Sequence, residues 1–233
     1  MDIRCMILDL TPLEDDRIYE RFLSDMPDHG YWQMRRDKIK RFRFKADMIR
    51  SLGAGLLLLD VLRKNGMEDA DISIARYGKP VIKDSRFQFN MSHSGNYAVI
   101  SYGSADSGID IEGYKSAVNE AAEHFFHSEE YELVKKYGDR MFIRIWTLKE
   151  SFLKYKGTGL SSGLDYFRIC PDVQERTVQG SDLSVPLFSD KAFVGNEGHI
   201  HFAEFTAHGN HIAVCSDETI DKNMSVCDLF DRY

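Results

Sequence analysis

The chain of 233 residues has few cysteines, four in all, and no two of them are spaced as C-x-x-C. That scarcity excludes the common zinc-ribbon and dithiol-redox patterns. Scattered Cys5, Cys170, Cys215 and Cys227 instead predict reduced thiols in a cytoplasmic protein. Prolines number five and there is no low-complexity tract, so no linker interrupts the chain. No apolar run is long enough for a bilayer: the longest, "LGAGLLLLDVL", stops short of about 20 residues and contains Asp60. The amino terminus, "MDIRCMILDL", carries acids and no long apolar stretch, and is not expected to act as a signal peptide. Positive charge is also in deficit. Thirty Lys and Arg face 37 Asp and Glu, a formal net charge of −7, which argues against a general nucleic-acid binder.

What is present is a chain with enough apolar content, 43%, for one large or two small cores. A strand is expected near residues 3–9. A helical region follows at 33–65, on the spacing of Ile39, Phe42, Ala46, Ile49 and Leu56, with Asn65-Gly66 as its stop. "DISIARYG" reads as a strand and "RFQFNMSHSGNYAVISYG" as a hairpin, with Ser92, His93 and Ser94 in its turn. After the strand "GIDIEG" comes a second helical region at 117–156, interrupted near Gly138-Asp139. Strands are expected again at "LDYFRI", "KAFV", "HIHFAEFTAH" and "HIAVCS", and an irregular polar tail at 217–233. "GNYAVIS" at 95–101 echoes "GNHIAVCS" at 209–216. Two unrelated hairpins built from common strand residues would do the same. A true repeat predicts an α+β fold of two similar halves, residues 1–106 and 107–233, with a ligand cleft between them.

Four stretches carry chemistry. In "GIDIEG" the alternation of a strand puts Asp110 and Glu112 on one face, with Ile109 and Ile111 turned into a core. Two same-face carboxylates suit a hard, oxygen-seeking divalent cation, though a half-buried strand with a solvated acidic face would read the same way. In "WTLKESFLKYKGTG", Glu150 and Lys154 share a helix face, either as a surface pair or as a third carboxylate and a phosphate-binding cation. Hydroxyls, an imidazole and turn N–H groups in "FNMSHSGNY" could hold a phosphate. The stretch is not a hydrolase triad, since it has neither G-x-S-x-G nor an evident base and orienter. The basic run at 35–50 holds eight Lys or Arg. Most suit a solvated helix face, while Arg35 and Lys38, three apart, could grip one phosphate. His199, His201, His208 and His211 lie together on one hairpin. A zinc site there lacks the usual further ligands, and a solvated edge is the expectation.

Taken in order, "YGKP" 77–80, "FNMSHSG" 89–95, "GIDIE" 108–112, "FFHSEEY" 125–131 and "WTLKESFLKYKGTGL" 146–160 resemble the motifs of the Sfp-type 4′-phosphopantetheinyl transferases. The resemblance runs from about residue 30 to about 170. It implies an α+β pseudo-dimer with an active-site cleft between its halves. It also implies transfer of the phosphopantetheine arm of coenzyme A to a serine of an apo acyl or peptidyl carrier protein, releasing 3′,5′-ADP. By resemblance Asp110, Glu112 and Glu150 hold Mg2+, with Mn2+ able to substitute. Ser92 and Lys154 touch the pyrophosphate. His93, Arg35, Lys38, Arg50 and Ser51 surround the ribose 3′-phosphate, and Tyr77, Gly78, Lys79 and Pro80 line the adenine side. Glu130 matches a carboxylate near the metal and stands behind Glu150 as an alternative base. The expected enzyme is a cytoplasmic monomer acting on coenzyme A and a carrier protein, without nucleic acid or membrane. A Mg2+-dependent nucleotide pyrophosphate hydrolase and an inactive carrier-binding scaffold are the competing readings.

Overall fold

The computed structural model describes residues 2–114, 119–159, 163–165, 167–169, 187–189 and 200–232. It opens with strand β1 (Ile3–Asp9), then helices α1 (Asp16–Asp25), α2 (Gly30–Lys40) and α3 (Lys45–Lys64). The short strands β2 (Ile72–Ile74) and β3 (Pro80–Ile82) form a hairpin, followed by β4 (Gln88–Ser94), β5 (Tyr97–Gly103) and β6 (Ser107–Gly113). Helices α4 (Asn119–Phe125), α5 (Ser128–Tyr137) and α6 (Asp139–Lys156) lead to β7 (Leu187–Ser189), β8 (His201–Ala207), β9 (Asn210–Ser216) and β10 (Ile220–Val226). This is the expected α+β composition.

Two four-stranded sheets result, in the orders β10-β1-β5-β4 and β6-β9-β8-β7. Each has a lone strand, β1 or β6, antiparallel to the second arm of a later hairpin, β4–β5 or β8–β9. The echoed segments "GNYAVIS" and "GNHIAVCS" occupy the same place in both, the turn and second arm of the hairpin. The sheets meet through one apolar cluster: Ile3, Cys5, Ile7 and Val99 from the first, and Ile109, Ile111, Phe205, Ile212 and Val214 from the second. Helix α3, buried on almost every side from Ser51 to Leu62, covers the other face of the first sheet, packing on Met6, Leu8, Ala98 and Ile100. On the second sheet α6 plays this part, through Leu148, Phe152 and Leu153 against Phe202, Ala213 and Cys215. Ile109 and Ile111 thus face inward as expected, and Asp110 and Glu112 take the opposite face.

Several local expectations need correction. The region 33–65 is two helices, because the chain leaves helical geometry between Lys40 and Lys45. The region 117–156 breaks into three within its described residues. Gly138, at φ 75°, ends α5 and starts α6, as its sequence suggested. Ser92, His93 and Ser94 lie within β4, and the turn is Gly95-Asn96. The described part of "LDYFRI" is not a strand, because its backbone serves buried side chains: Lys149 donates to the carbonyls of Leu164 and Phe167, and Ile169 N–H donates to Glu130. "KAFV" lies outside the described residues. The tail contains β10, which joins the first sheet parallel to β1. Its polarity reflects an edge position: Ile220 and Met224 touch the inter-sheet cluster while Asn223, Ser225 and Val226 are exposed.

One glycine governs how closely α6 approaches β6. A Cβ on Gly108 would lie 1.9 Å from the Ser151 carbonyl oxygen and 2.4 Å from the Tyr155 nitrogen, both backbone atoms of α6. Backbone cannot yield as a flexible side chain does, so Gly108→Ala must push the helix off the sheet. Overpacking costs typically about 1–3 kcal/mol, and a backbone contact belongs at or beyond the top of that range. Thermal denaturation of Gly108→Ala should show a loss of about 3 kcal/mol or more. An unchanged melting temperature would contradict this packing.

Candidate active site

The site lies where the two sheets meet. β4 and β6 are edge strands of different sheets. They run side by side in the same direction and are joined by side chains. Asn90 Oδ1 accepts from Ile109 N–H (3.2 Å), Ser92 Oγ donates to Asp110 Oδ1 (2.8 Å), and Ser94 Oγ donates to Glu112 Oε2 (3.0 Å). The two-residue step repeats because each strand turns alternate residues the same way. Lys154 closes the junction from α6, with Nζ 2.6 Å from Asp110 Oδ1 and 2.8 Å from Ser92 Oγ. Gly157, in the left-handed region at φ 66°, ends the helix just beyond it.

An open cleft with a cavity volume of about 210 Å³ adjoins this junction. Its lining comes from both halves: Tyr77, Gly78, Lys79 and Pro80 on the β2–β3 connection, Phe89, Asn90 and Met91 on β4, and Leu153, Lys154, Gly157 and Gly159 at the end of α6. Tyr77 takes φ 65°, uncommon for a residue with a side chain, and its ring is 59% exposed.

The electrostatics are unbalanced in a specific way. Asp110 is 4% exposed, and its Oδ2 is buried with no hydrogen-bond partner among the described residues. Glu150, half-buried one turn before Lys154, has its pKa raised to about 7. Lost hydration is the main cause. The negative charge of Asp110, and more weakly that of Glu112, adds to it against the pull of Lys154. The three carboxylates therefore act on one another. Yet among the described residues no three acidic, His or Cys side chains are gathered tightly enough to hold an ion as they stand. Lys154 takes up Asp110 Oδ1, leaving Oδ2 and the mutual repulsion of the acids for a cation to satisfy. This donor set, all oxygen, suits Mg2+.

A cationic group lies on the other side. The His93 pKa is lowered first by lost hydration, then by the charges of Lys154, Arg50 and Arg35. His93 keeps contact with solvent, so the part owed to those three cations is what a bound anion would reverse. Arg35 is held by the Ser51 carbonyl (2.7 and 3.2 Å) and the Tyr31 hydroxyl (2.7 Å), and Arg50 by Asp47 (2.6 Å). Lys38 is exposed on α2 and does not act on His93.

Glu130 requires a correction. It is 1% exposed, and its oxygens accept from His127 N–H (2.8 Å) and Ile169 N–H (2.6 Å) and pair with Lys149 Nζ (2.9 Å). Lys149 leaves α6 in a different direction from Glu150 because consecutive helical residues diverge by about 100°. Fully engaged there, Glu130 is not placed to take a proton in the cleft. The histidines also disperse. His208 stacks on Tyr97 at 5.0 Å, and His211 is buried beside Glu204, while His199 is outside the described residues. The sequence reading missed the role of Asn90 and the pairing of Ser94 with Glu112, although the alternation of "FNMSHS" contained both.

Comparison with known proteins gives two family matches. The model described as the 4′-phosphopantetheinyl transferase superfamily covers residues 107–215, and that described as 4′-phosphopantetheinyl transferase, N-terminal, covers residues 32–104. The chain is 38% identical to 4′-phosphopantetheinyl transferase Sfp of Bacillus subtilis (strain 168) over 158 residues, 64% of this chain and 68% of that protein. It is 32% identical to 4′-phosphopantetheinyl transferase psf-1 of Bacillus pumilus over 173 residues, 71% of this chain and 73% of that one. L-aminoadipate-semialdehyde dehydrogenase-phosphopantetheinyl transferase of Mus musculus is 33% identical over 147 residues, 54% of this chain and 48% of that protein.

The raised pKa of Glu150 has a consequence for stability. Between its ordinary value of 4.5 and about 7 the folded protein binds this proton more firmly than the unfolded chain does. Stability from this group therefore falls as pH rises through that window. Glu150→Gln cannot ionise. In buffer free of divalent ions the variant should melt at the same temperature as the parent near about pH 4, and roughly 4–8 °C above it near about pH 8. Scanning calorimetry at both pH values checks this, and equal melting temperatures at both would exclude the shift.

Proposed function

The chain belongs to the 4′-phosphopantetheinyl transferase superfamily, and on that premise we propose that the junction of Ser92, Asp110 and Lys154 is where its transfer chemistry occurs. As such a transferase it uses coenzyme A and places the phosphopantetheine group on a carrier protein. The observation that carries the assignment is the buried, unpartnered Asp110 Oδ2, acting on Glu150 and joined through Oδ1 to Lys154, which lines the cleft. The two family matches meet between residues 104 and 107, which supports a division near residue 106 into an N-terminal half and a half carrying the carboxylates. A cleft shared within one chain supports a monomeric enzyme. Three buried free thiols, Cys5, Cys215 and Cys227, support a reducing, cytoplasmic setting.

In this reading Asp110, Glu112 and Glu150 hold Mg2+, or Mn2+ in its place. The bound ion would offset negative charge on the pyrophosphate and the departing nucleotide. Lys154 and Ser92 bind pyrophosphate oxygens. His93, Arg35 and Arg50, with Ser51 positioning Arg35, face the ribose 3′-phosphate, and Lys38 adds a more distant charge. The segment Tyr77 to Pro80 flanks the adenine. The carrier serine oxygen bonds to the phosphorus bearing the pantetheine arm as the bond to 3′,5′-ADP breaks. Glu150 takes the serine proton.

Incubation with coenzyme A, Mg2+ and an apo carrier protein should produce 3′,5′-ADP and a carrier heavier by one phosphopantetheine, read by intact mass. Free phosphopantetheine with unmodified carrier would indicate hydrolysis instead. Asp110→Ala should lose nearly all transfer activity. His93→Ala should weaken coenzyme A by about 1.5–3 kcal/mol, the contribution of a charge-assisted hydrogen bond, while 3′-dephospho-coenzyme A loses far less. Equal losses for the two ligands in calorimetric titrations would remove His93 from the 3′-phosphate site.

A further inference from the structure

The sheet face that carries Asp110 and Glu112 continues onto its neighbours. Strand register places His211 of β9 directly opposite Glu112, with Thr206 of β8 next in that row. One row along, Asp110 is followed by Ala213 and then Glu204. Directly opposed residues of an antiparallel pair share a face, with Cβ atoms about 4.5–5.5 Å apart. An imidazole therefore stands beside Glu112, and beyond it, on the diagonal, a carboxylate. Neither is a surface charge: His211 is 3% and Glu204 1% exposed.

The trio is tied together. His211 Nε2 lies 3.1 Å from Glu204 Oε2, off the line of an ideal N–H···O bond. Arg144 of α6 clamps the same carboxylate through Nε (2.6 Å) and Nη2 (2.8 Å). Burial pushes the Glu204 pKa up, but Arg144 and His211 together outweigh it and hold it at about 2. Apolar side chains would fill this space without desolvating any charge, so the trio is not what packing alone would select. None of its members reaches the cleft, and the chemistry described above uses none of them.

We propose that His211 is a positioning residue for the transfer reaction. Its ring, set between Glu112 and the Arg144-clamped Glu204, fixes the Glu112 carboxylate on the cleft side of the sheet. The inference rests on the reading of Glu112 as a site carboxylate. The two can be tested apart with His211→Ala, Glu112→Gln and the double variant. His211→Ala leaves Glu204 both of its bonds to Arg144, so no buried charge is stranded. Should that variant fail to fold by circular dichroism, His211→Leu, which fills the space without a polar atom, replaces it under the same criteria. Binding of Mn2+ alone is measured by calorimetric titration, and turnover at saturating coenzyme A and carrier. His211→Ala should weaken Mn2+ and lower turnover by about 10- to 100-fold, the usual effect of removing a group that orients a ligand, with the KM for coenzyme A changed less than about twofold. In the Glu112→Gln background the same change should alter Mn2+ affinity by less than about twofold, because His211 acts through Glu112. Equal losses in both backgrounds, or parental Mn2+ affinity in a folded His211 variant, would overturn the proposal. Parental affinity in Glu112→Gln itself would instead overturn the reading of the acidic site.

Discussion

The rest of the structure depends on two hydroxyl–carboxylate bonds, Ser92 to Asp110 and Ser94 to Glu112. They join strands of different sheets where a backbone ladder could have continued. A ladder would merge the two edges and spend their hydrogen bonds on each other. Side-chain bonds hold the halves at the same place and leave polar oxygens facing the cleft. The apolar cluster between the sheets supplies most of the adhesion, but it is non-directional. The paired hydroxyls are directional, and their matching two-residue step fixes the alignment of β4 against β6. Gly108 sets the third component by letting the α6 backbone approach β6, which brings Lys154 within 2.6 Å of Asp110.

Helix α6 serves two regions at once, and consecutive residues divide the work. Lys149 is fully buried. Its three N–H bonds go to Glu130 and to the carbonyls of Leu164 and Phe167. Burial pushes its pKa down and the Glu130 charge opposes that. Replacing a buried ion pair with apolar residues is often neutral for stability, whereas removing one partner commonly costs about 3–5 kcal/mol. What the pair adds is definition: it ties α5 and the segment after α6 to a single orientation of the helix. Glu150, one residue on, is thereby carried on a helix of fixed orientation, within electrostatic reach of Asp110. The acidic site is held from behind by Lys149 and its partners, and from the side by the buried trio of His211, Glu204 and Arg144.

The strands were legible because period-2 alternation survives burial: "GIDIEG" and the echoed hairpin arms lie where their patterns put them, although the strand in "FNMSHS" runs on through Ser92, His93 and Ser94, which were expected in the turn. The orientation of Ile109 against Asp110 followed from the same rule. Helix breaks at Lys40–Lys45 and before α5 were not legible, since no proline marks either one. The edge strand β10 was hidden by its own polarity, and the segment 164–169 looked like a strand because it is apolar. Its carbonyls are claimed by a lysine 15 and 18 residues away, and no local pattern records that. For the site, residue types and spacing indicated Asp110, Glu112, Glu150 and Lys154. Glu130 fell out of the cleft for a reason invisible in one dimension: its partner Lys149 adjoins Glu150 in sequence but leaves the helix in a different direction.

Charge is sorted between the halves in a manner that explains why both are needed. The acids Asp110, Glu112 and Glu150 all come from the C-terminal half. The cations acting on His93 come from α2 and α3 of the N-terminal half, apart from Lys154. Lys154 sits on the boundary and contacts Asp110 and Ser92 together. One ammonium cannot offset three carboxylates, and the repulsion from Asp110 and Glu112 adds to lost hydration in raising the Glu150 pKa. At about 4 Å, in surroundings of effective dielectric about 20, each unit charge interacts with another by about 4 kcal/mol. A protonated Glu150 relieves the repulsion in one way and a divalent cation in another. On the opposite wall the surplus is positive and would be relieved by phosphate. Either half alone would be poorly matched to a ligand carrying both a phosphate anion and its counter-cation. Under the proposed function a polyanion with a divalent ion at one end would satisfy the two walls together, while the Ser92 and Ser94 bonds keep the strands in register.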